Sequence, residues 1–497
     1  MERRFWNEKI ECMPMEEIWE LQLQKIKKQV KYCYDNSPLY YGKKFKEIGV
    51  EPGDIKTWED FRKLPPLRNK EEDRISQEES LARFGHPYGL YLCVPPEEIR
   101  GVFSTAGTTG FPTFYALTEH DIGVINEVGA RGLWRCGVRP GEFVLHAMGL
   151  SMWIGGIPIM RAIRNLGACP IAVGAEARSE RLLMFAQLTR PKSIFCTPSY
   201  AEYLIQRAPE AIGMEVKELG ISKILTAGEP GVGLPEFRKK VEDAYGATMY
   251  ECIGFAFSLQ LVSCGTEEYH GMHVACEDYC LAYDLMDPAT NQPIEIKDGA
   301  IGKQIITSLE WEAAPALRYD IGDLVQVFTE PCVCGQPGYR VKILGRIDDM
   351  LIVKGINVYP TVVKDAIMSF VPRVTGELRI VLDEPPPRVV PPLKVRVEYG
   401  AGVDPSELED LKAEVEQKVS DMVRTRPVVE LLPPGTLERD PTKKAKLLEK
   451  RYEAKYGSPA FALACNLKRM VKLLCHRGCL SGVYLLAPWR WCFFESL

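Results

Sequence analysis

A segment rich in glycine and hydroxyl side chains gives the sharpest local sign of chemistry in this sequence. Phe103-Ser-Thr-Ala-Gly-Thr-Thr-Gly-Phe-Pro-Thr113 follows a short apolar run. Glycines allow backbone N–H groups to converge and hydroxyls add further donors, so the segment suits a polyphosphate. It lacks the Gly-Lys-Ser/Thr ending of the Walker phosphate loop. Taken alone, an ordinary Gly/Thr-rich turn is the simpler interpretation.

Four cysteine and histidine residues form a second candidate group. Cys332 and Cys334 enclose a single valine, and Cys264 and His273 lie earlier in the chain. Two close thiolates with a distant Cys/His pair can bind zinc tetrahedrally and join two strands. His270 is an alternative to His273, and unrelated surface thiols are the alternative to a metal site. Nothing in this group indicates a catalytic metal.

Several charged residues further along the chain are ambiguous on their own. Asp323 could be a turn acid, and Arg346 could be a surface cation. The lysines around Lys444 could be a solvated run of charge. Their meaning therefore depends on the motifs that surround them.

A series of ordered motifs resembles the phenylacetate-CoA ligase family of acyl-adenylate-forming enzymes. Ser104 to Thr113 resembles the superfamily's phosphate loop, Ser-Ser/Thr-Gly-Thr-Thr-Gly-Lys-Pro-Thr. The other similar segments are Tyr32 to Pro65, Thr197-Pro-Ser-Tyr200, Ala227-Gly-Glu-Pro230, Arg318-Tyr-Asp-Ile-Gly-Asp323 and Gly345-Arg-Ile-Asp-Asp-Met-Leu-Ile-Val-Lys-Gly-Ile-Asn-Val-Tyr-Pro360. The resemblance covers about residues 20–456, and matches in this order are difficult to obtain by chance.

The resemblance implies a role for each motif. Lys444, in a Thr-Lys-Lys-Ala-Lys segment, would act on the ATP phosphates together with Thr105 and Thr108. Asp348 would be the hinge about which a small domain turns, presenting Gly355 towards coenzyme A. The implied nucleotide-binding residues are Ser104, Gly107, Thr109 and Gly110 at the phosphates, Ala227, Gly228, Glu229 and Pro230 at the adenine, Glu251 after the adenine loop, and Asp323 and Arg346 at the ribose.

Two segments depart from the family pattern. The family usually has Asp-x-Tyr-Gly-x-Ser/Thr-Glu after the adenine loop, with the last acid near Mg²⁺, whereas this chain has Glu251-Cys-Ile-Gly-Phe-Ala-Phe257. Phe111 replaces the usual lysine of the phosphate loop. Loss of a metal-ligating carboxylate removes negative charge where Mg²⁺ would bind. Either ATP and water hold the metal, or adenylation is impaired.

The size and charge of the chain favour an enzyme of ordinary globular composition. It has 497 residues, of which 46% are hydrophobic and 26% charged, enough for a large domain and a smaller one. A net charge of −5 gives no general attraction to nucleic acids or anionic membranes. The 16 cysteines are scattered and no export signal precedes them, which indicates reduced thiols in a cytoplasmic protein.

Hydrophobic patterns predict the elements that would position these groups. Short apolar runs alternate with helical segments over residues 100–260, which favours parallel α/β layers. Strand-like pieces over 275–345 predict a small β-rich subdomain. Beyond Gly345 an αββαβ pattern follows, in which Leu393 to Tyr399 alternates as a strand with one exposed face. Together with the family resemblance, these patterns predict an α/β fold with an AMP-binding domain at 1–345, a mobile α+β lid domain at 346–457 and an atypical tail at 458–497.

The expected reaction joins an aromatic or aryl-acetic acid to coenzyme A through an acyl-adenylate, releasing AMP and pyrophosphate. The expected cofactors are ATP, Mg²⁺, coenzyme A and a structural Zn²⁺, and a homodimer is left open. Neither nucleic acid nor membrane is an expected partner. The alternatives are an adenylating enzyme with another acceptor, a homologue that binds nucleotide or acyl-CoA with reduced catalysis, and a scaffold protein. Met148, Met152 and Trp153 could line an acid pocket or pack in the core.

Overall fold

The computed structural model describes residues 4–105, 112–229, 231–254, 260–437 and 447–452. Its α-helices are α1 (Glu8–Glu11), α2 (Met15–Asn36), α3 (Lys43–Ile48), α4 (Trp58–Arg62), α5 (Lys70–Phe84), α6 (Glu119–Arg135), α7 (Ile157–Leu166), α8 (Ser179–Thr189), α9 (Pro198–Ile212), α10 (Pro235–Tyr245), α11 (Pro360–Met368) and α12 (Leu408–Val423). Among these described helices, none is both long and apolar enough to cross a membrane.

Strands account for much of the rest of the described chain. They are β1 (Arg68–Asn69), β2 (Gly101–Ser104), β3 (Phe114–Leu117), β4 (Phe143–His146), β5 (Cys169–Ala172), β6 (Ser193–Cys196), β7 (Lys223–Thr226), β8 (Thr248–Ile253), β9 (Leu261–Ser263), β10 (Met272–Val274), β11 (Cys280–Met286), β12 (Ile301–Ser308), β13 (Tyr319–Phe328), β14 (Arg340–Arg346), β15 (Leu351–Val353), β16 (Ile356–Val358), β17 (Val374–Leu382), β18 (Arg388–Val389), β19 (Leu393–Tyr399), β20 (Pro427–Leu432) and β21 (Leu448–Lys450).

A mixed 12-stranded sheet runs through the large domain, with the path β11-β12-β13-β14-β10-β9-β8-β7-β6-β4-β5 and β1 beside β13. Strands β4 to β8 pair in parallel. From β8 to β11 along this path the pairs are antiparallel. The α/β alternation and the strand-rich region predicted from the sequence are therefore both confirmed, as two halves of one sheet.

Helices cover both faces of the parallel half. Successive residues of a strand point to opposite faces, and Ile194 and Phe195 of β6 accordingly join two different apolar clusters. The cluster around Ile194 includes residues of α8, α9 and α10, and the cluster around Phe195 includes residues of α6 and α7. All four residues of β6 are buried, as expected for a parallel strand between two helical layers.

The small domain has its own apolar core, formed by residues from Leu351 to Tyr452. Strands β20, β19, β17 and β21 form one sheet, and β16, β15 and β18 form another. The strand predicted at Leu393–Tyr399 is confirmed. Asp404 caps a 3-10 turn at Pro405–Glu407, and α12 begins at the residue that follows this turn.

Candidate active site

The motifs implied for adenine binding lie at one edge of the sheet. Thr197 follows β6, Ala227 follows β7, and Glu251 of β8 pairs directly with Thr226. Strands β6, β7 and β8 are parallel, so their carboxyl ends meet at the same edge, where α/β proteins bind ligands. The fold therefore brings these separate segments together.

The adenine loop and the start of α9 form one hydrogen-bonded unit. The backbone N–H of Ala227 donates to the Cys196 carbonyl at 3.1 Å, and Gly228 has a φ of 96°, which favours glycine. The Glu229 carboxylate accepts from the Ser199 N–H at 2.8 Å. A negative charge at a helix start accepts hydrogen bonds from free N–H groups there and interacts favourably with the positive end of the helix dipole. Glu229 thus ties the loop to α9, while Pro230 lies outside the described residues.

Glu251 is buried beside this loop. Burial raises the pKa of its carboxyl, and a hydrogen bond with Tyr269 and the charge of Lys342 oppose that rise without cancelling it. Burial thus disfavours the ionised form of Glu251, which is the form that would bind Mg²⁺. Phe257, which stands at the family's metal-binding position, lies outside the described residues.

The phosphate-loop motif begins on a β-hairpin. Ser104 of β2 pairs with Phe114 of β3, and the Thr105 N–H donates to the Thr113 carbonyl at 3.0 Å. Ser104 and Thr105 therefore lie side by side at the end of the ladder where the glycine-rich segment begins. The implied phosphate ligands Gly107, Thr108, Thr109 and Gly110, together with Phe111, lie outside the described residues.

The predicted acid-pocket segment lies against this hairpin. Ser104 donates its N–H to the Met152 carbonyl at 2.6 Å and accepts from the Ile154 N–H at 3.2 Å. Met148 is buried in a core cluster, whereas the side chain of Met152 is exposed. The exposure of Trp153 is intermediate between those of Met148 and Met152. A Cβ on Gly155 would lie 2.2 Å from the Trp153 ring. Met148 is therefore core packing, and Trp153, which packs against the same cluster, is a partly exposed aromatic side chain beside the hairpin.

Asp323 and Arg346, the implied ribose ligands, face each other on neighbouring strands. They are direct partners in the β13–β14 register, and the Arg346 Nη1 donates to Asp323 Oδ1 at 3.1 Å. Arg346 also donates to the Ile321 carbonyl at 2.7 Å and to Asp348 Oδ2 at 2.6 Å. Burial lowers the pKa of Arg346, but the neighbouring carboxylates outweigh that effect and raise it. The guanidinium thus stays charged and oriented.

Gly355 and the implied hinge lie on the small-domain side of this pair. Gly355 follows Lys354 in the two-residue turn between β15 and β16, and both residues have positive φ, 79° and 52°. Such a turn presents its tip with little side-chain bulk. Asp348 is exposed after β14, and Lys444 lies outside the described residues.

The cysteine and histidine group assembles in the antiparallel half of the sheet. One ligand atom from each of Cys264, His273, Cys332 and Cys334 lies within 4.8 Å of the others. Cys264 Sγ is 3.9 Å from Cys332 Sγ, and His273 Nε2 is 3.3 Å from Cys334 Sγ. His270 is not in this group; its backbone carbonyl accepts from Arg340 at 2.9 Å.

Two contacts were not predicted from the sequence. Tyr269 hydrogen-bonds with Glu251, and the Thr361 hydroxyl donates to the Leu344 carbonyl at 2.6 Å. Tyr269 lies in an irregular loop, where no periodic signal relates it to a distant strand. Thr361 directly follows the hinge motif, and this position in the sequence was the signal that could have identified it.

Comparisons with known proteins agree with this geometry. Residues 355–451 match the family model of the AMP-binding enzyme C-terminal domain. The phenylacetate-coenzyme A ligase of Thermus thermophilus is 33% identical over 454 residues, which cover 87% of this chain and 96% of that relative.

Solved structures of 2-hydroxyisobutyryl-CoA ligase are also similar. Its postadenylation state in complex with 2-HIB-AMP matches with a TM-score of 0.80 and 29% identity, covering 94% of this chain and 96% of that chain. Its thioesterification state in complex with 2-HIB-AMP and CoA matches with a TM-score of 0.65 and 28% identity, covering 94% and 95%. The relative positions of the domains here therefore resemble the postadenylation state more closely.

Motifs, fold and similarity over most of the chain thus agree on one kind of chemistry, carboxylate activation by ATP followed by transfer to coenzyme A. The chain belongs to the phenylacetate-coenzyme A ligase family and is an AMP-forming acid–CoA ligase that acts through an acyl-adenylate.

Proposed function

We propose that the acid is aromatic or aryl-acetic, as the name of the Thermus thermophilus relative suggests. The observation that carries this proposal is the position of Trp153, whose segment is hydrogen-bonded on both sides to Ser104. An indole beside the phosphate loop can pack against a flat ring, and aromatic pairs gain about 0.5–1.5 kcal/mol beyond simple burial. Gly155 leaves room for that indole.

The proposed roles of the binding residues follow from where charge develops. An oxygen of the acid attacks the α-phosphorus of ATP, and the bond to pyrophosphate breaks. Ser104, Thr105 and Lys444, with the hydroxyls and N–H groups of the phosphate loop, would stabilise the charge on the phosphate oxygens. When bound, Mg²⁺ would neutralise part of the pyrophosphate charge.

Asp323 and Arg346 would hold the ribose, because one side chain accepts and the other donates on adjacent strands. The loop from Ala227 to Glu229 would border the adenine. In the second step the CoA sulfur attacks the acyl carbon and AMP leaves. Asp348 would be the hinge between the steps, and the Gly355 turn would then face the coenzyme.

A small hydroxylated acid is a second candidate. The 2-hydroxyisobutyryl-CoA ligase structure matches over 94% of this chain with a TM-score of 0.80. The acid panel must therefore include 2-hydroxyisobutyrate.

We also propose that Cys264, His273, Cys332 and Cys334 bind Zn²⁺. Tetrahedral zinc with Zn–S bonds of about 2.3 Å places sulfur atoms about 3.8 Å apart, close to the 3.9 Å between Cys264 and Cys332. Burial lowers the pKa of His273 to about 3, with help from Arg135 and Arg340, so its imidazole is neutral, as a ligand must be. Four protein ligands leave no open position, so the metal would be structural.

Acid-dependent ATP–pyrophosphate exchange tests the proposed substrate. Phenylacetate, benzoate, 2-hydroxyisobutyrate and acetate are compared at equal concentration with Mg²⁺. We expect aryl and aryl-acetic acids to give the fastest exchange. Faster exchange with 2-hydroxyisobutyrate would favour the second candidate, and exchange with none of these acids would contradict the proposal.

Matched variants locate the effect within the site. Trp153→Ala should raise the KM for the acid and leave the KM for ATP unchanged, whereas Met152→Ala, at the exposed neighbouring side chain, should change neither. Lys444→Ala should abolish exchange, whereas Lys443→Ala should reduce it only slightly. The two pairs separate acid recognition from phosphate chemistry.

A further inference from the structure

Helix α11 of the small domain has two faces directed to different domains. Val363, Ala366 and Ile367 belong to the small domain's own core. Thr361, Asp365 and Met368 follow at spacings of four and three residues, which places them on one other stripe of the helix. A helix that served only its own domain would need only the first face.

Thr361 joins the second face to the large domain. Its hydroxyl donates to the Leu344 carbonyl of β14 at 2.6 Å. A Cβ on Gly345 would lie 2.9 Å from the Thr361 Oγ1 and 3.3 Å from the Tyr359 ring. Glycine at this position therefore allows α11 to approach the strand that leads into the hinge.

Met368 provides an apolar contact at the other end of the helix. It is only 5% exposed and belongs to the large-domain cluster that contains Tyr200, Leu234 and Phe237. Lys364 and Met368 line one cleft together with residues of α9 and α10. A methionine of the small domain is therefore buried in the core of the large one.

Charge also acts across this contact. Burial raises the pKa of Asp365 to about 6, and Lys342 of β14 opposes the rise together with Lys364. Lys342 also acts on the buried Glu251 beside the adenine loop. The second face of α11 is thus linked to the side of the site where the nucleotide is expected.

We propose that this second face, formed by Thr361, Asp365 and Met368, is a positioning surface that selects the adenylation arrangement of the two domains. The chain resembles the postadenylation state of its structural relative more than the thioesterification state. The face must separate from β14 and from the Phe237 cluster when the small domain turns. The proposal rests on the acyl-adenylate chemistry of the family and holds whichever acid is activated.

The two half-reactions measure this selection. Pyrophosphate exchange reports the adenylation arrangement, and acyl-CoA formation from supplied acyl-adenylate reports the other. If the arrangements interconvert rapidly, the ratio of the two rates follows their equilibrium constant. Thr361→Val keeps the shape and removes the hydrogen bond, so the ratio of exchange to thioester formation should fall about three- to tenfold.

Two further variants should give a larger effect and no effect, respectively. Met368→Ala should lower the ratio by at least tenfold, because it removes the buried contact between the domains. Ser369→Ala removes an exposed hydroxyl that bonds only to its own helix, at 2.7 Å to the Ala366 carbonyl, and should leave the ratio unchanged. Thermal unfolding confirms that each variant is folded. An equal fall of both half-reactions, or an unchanged ratio in Thr361→Val and Met368→Ala, would overturn the proposal.

A distance measurement tests the same idea without any substrate. Fluorescent labels replace two exposed side chains, Leu188 in the large domain and Val428 in the small one. Thr361→Val and Met368→Ala should shift the distribution of energy transfer, while Ser369→Ala should not. An unshifted distribution in folded variants would overturn the proposal. A shifted distribution without acid-dependent exchange would support it and contradict only the proposed substrate class.

Discussion

Two arginine clusters adjoin strand β13, and they differ in what completes them. Arg318, just before the strand, is fully buried, and its guanidinium pairs with the buried Asp284. It also donates to the Leu64 carbonyl at 2.9 Å and to the Arg62 carbonyl at 3.0 Å. Arg346, opposite Asp323, keeps 36% of its side chain exposed, and its second carboxylate partner, Asp348, is 69% exposed.

The difference shows that an arginine–carboxylate pair can serve two purposes. The donors of Arg318 are directed to protein groups, so this residue joins the N-terminal segment to β11 and β13. Arg346 is held at one side by Asp323 and Ile321, and its other side pairs with the exposed Asp348 at the protein surface, where a ligand can bind. A cluster completed by protein should govern folding, and one left partly open should govern function.

The largest expected effect is on stability. Arg318→Met should lower the free energy of unfolding by about 2–4 kcal/mol, because it removes an arginine that, together with Arg62, pairs with the buried Asp284 and that also donates to two backbone carbonyls. Arg346→Met should lower it by less than about 1 kcal/mol, since its pairs are partly solvated. Urea denaturation of both variants measures the contrast. Similar losses of stability in the two variants would contradict the proposed distinction between the two arginine clusters.

The second expected effect is on catalysis. A hydrogen bond to a charged group contributes about 1.5–3 kcal/mol, so Arg346→Met should slow adenylation roughly 10- to 100-fold. Arg373 is a matched control, because it forms a similarly exposed ion pair with Glu414 at 2.8 Å in the small domain. Arg373→Met should leave pyrophosphate exchange unchanged. Equal exchange rates in the two variants would mean that Arg346 does not hold the nucleotide.

The cysteine and histidine group extends the comparison, because it is mostly buried and is proposed to bind Zn²⁺. Cys334→Ser should reduce bound zinc from about one atom per chain to almost none and lower stability by on the order of 1–3 kcal/mol. Cys12 is exposed and lies outside the group, so Cys12→Ser should change neither quantity. Metal analysis and thermal unfolding report both. Zinc-free wild-type protein of undiminished stability would argue against a metal site.

The sequence predicted the kinds of elements and the membership of several groups. A strand-like piece located β12 and strict alternation located β19. Thiol spacing with a distant Cys/His pair named four residues that the structure brings together. It could not distinguish Arg318 from Arg346, because burial is decided by contacts with segments about 250 residues away, such as Leu64. The contact of Met368 with the large domain could not be predicted either, since an apolar residue on an amphipathic helix normally faces its own core.

Asp365 provides the most sensitive test of this comparison, because its burial lies between that of Asp284 and that of Asp348. Burial raises its pKa from 3.8 to about 6 despite Lys342 and Lys364. The folded state therefore holds this proton more tightly than the unfolded chain, so this group's contribution to stability is lost as pH rises from about 4 to 6. Asp365→Asn keeps the shape without the charge.

At pH 8, Asp365→Asn should raise the free energy of unfolding by about 1 kcal/mol, less than the full shift implies because the side chain is partly exposed. At pH 4 the gain should disappear, since the wild-type carboxyl is then protonated in the folded state. Urea denaturation at both values measures this, with the exposed Asp421→Asn as control. A gain that is equal at both values would show that shape, and not the buried charge, is responsible. Loss of stability at pH 8 would instead show that Lys342 and Lys364 complete this carboxylate as Arg318 completes Asp284.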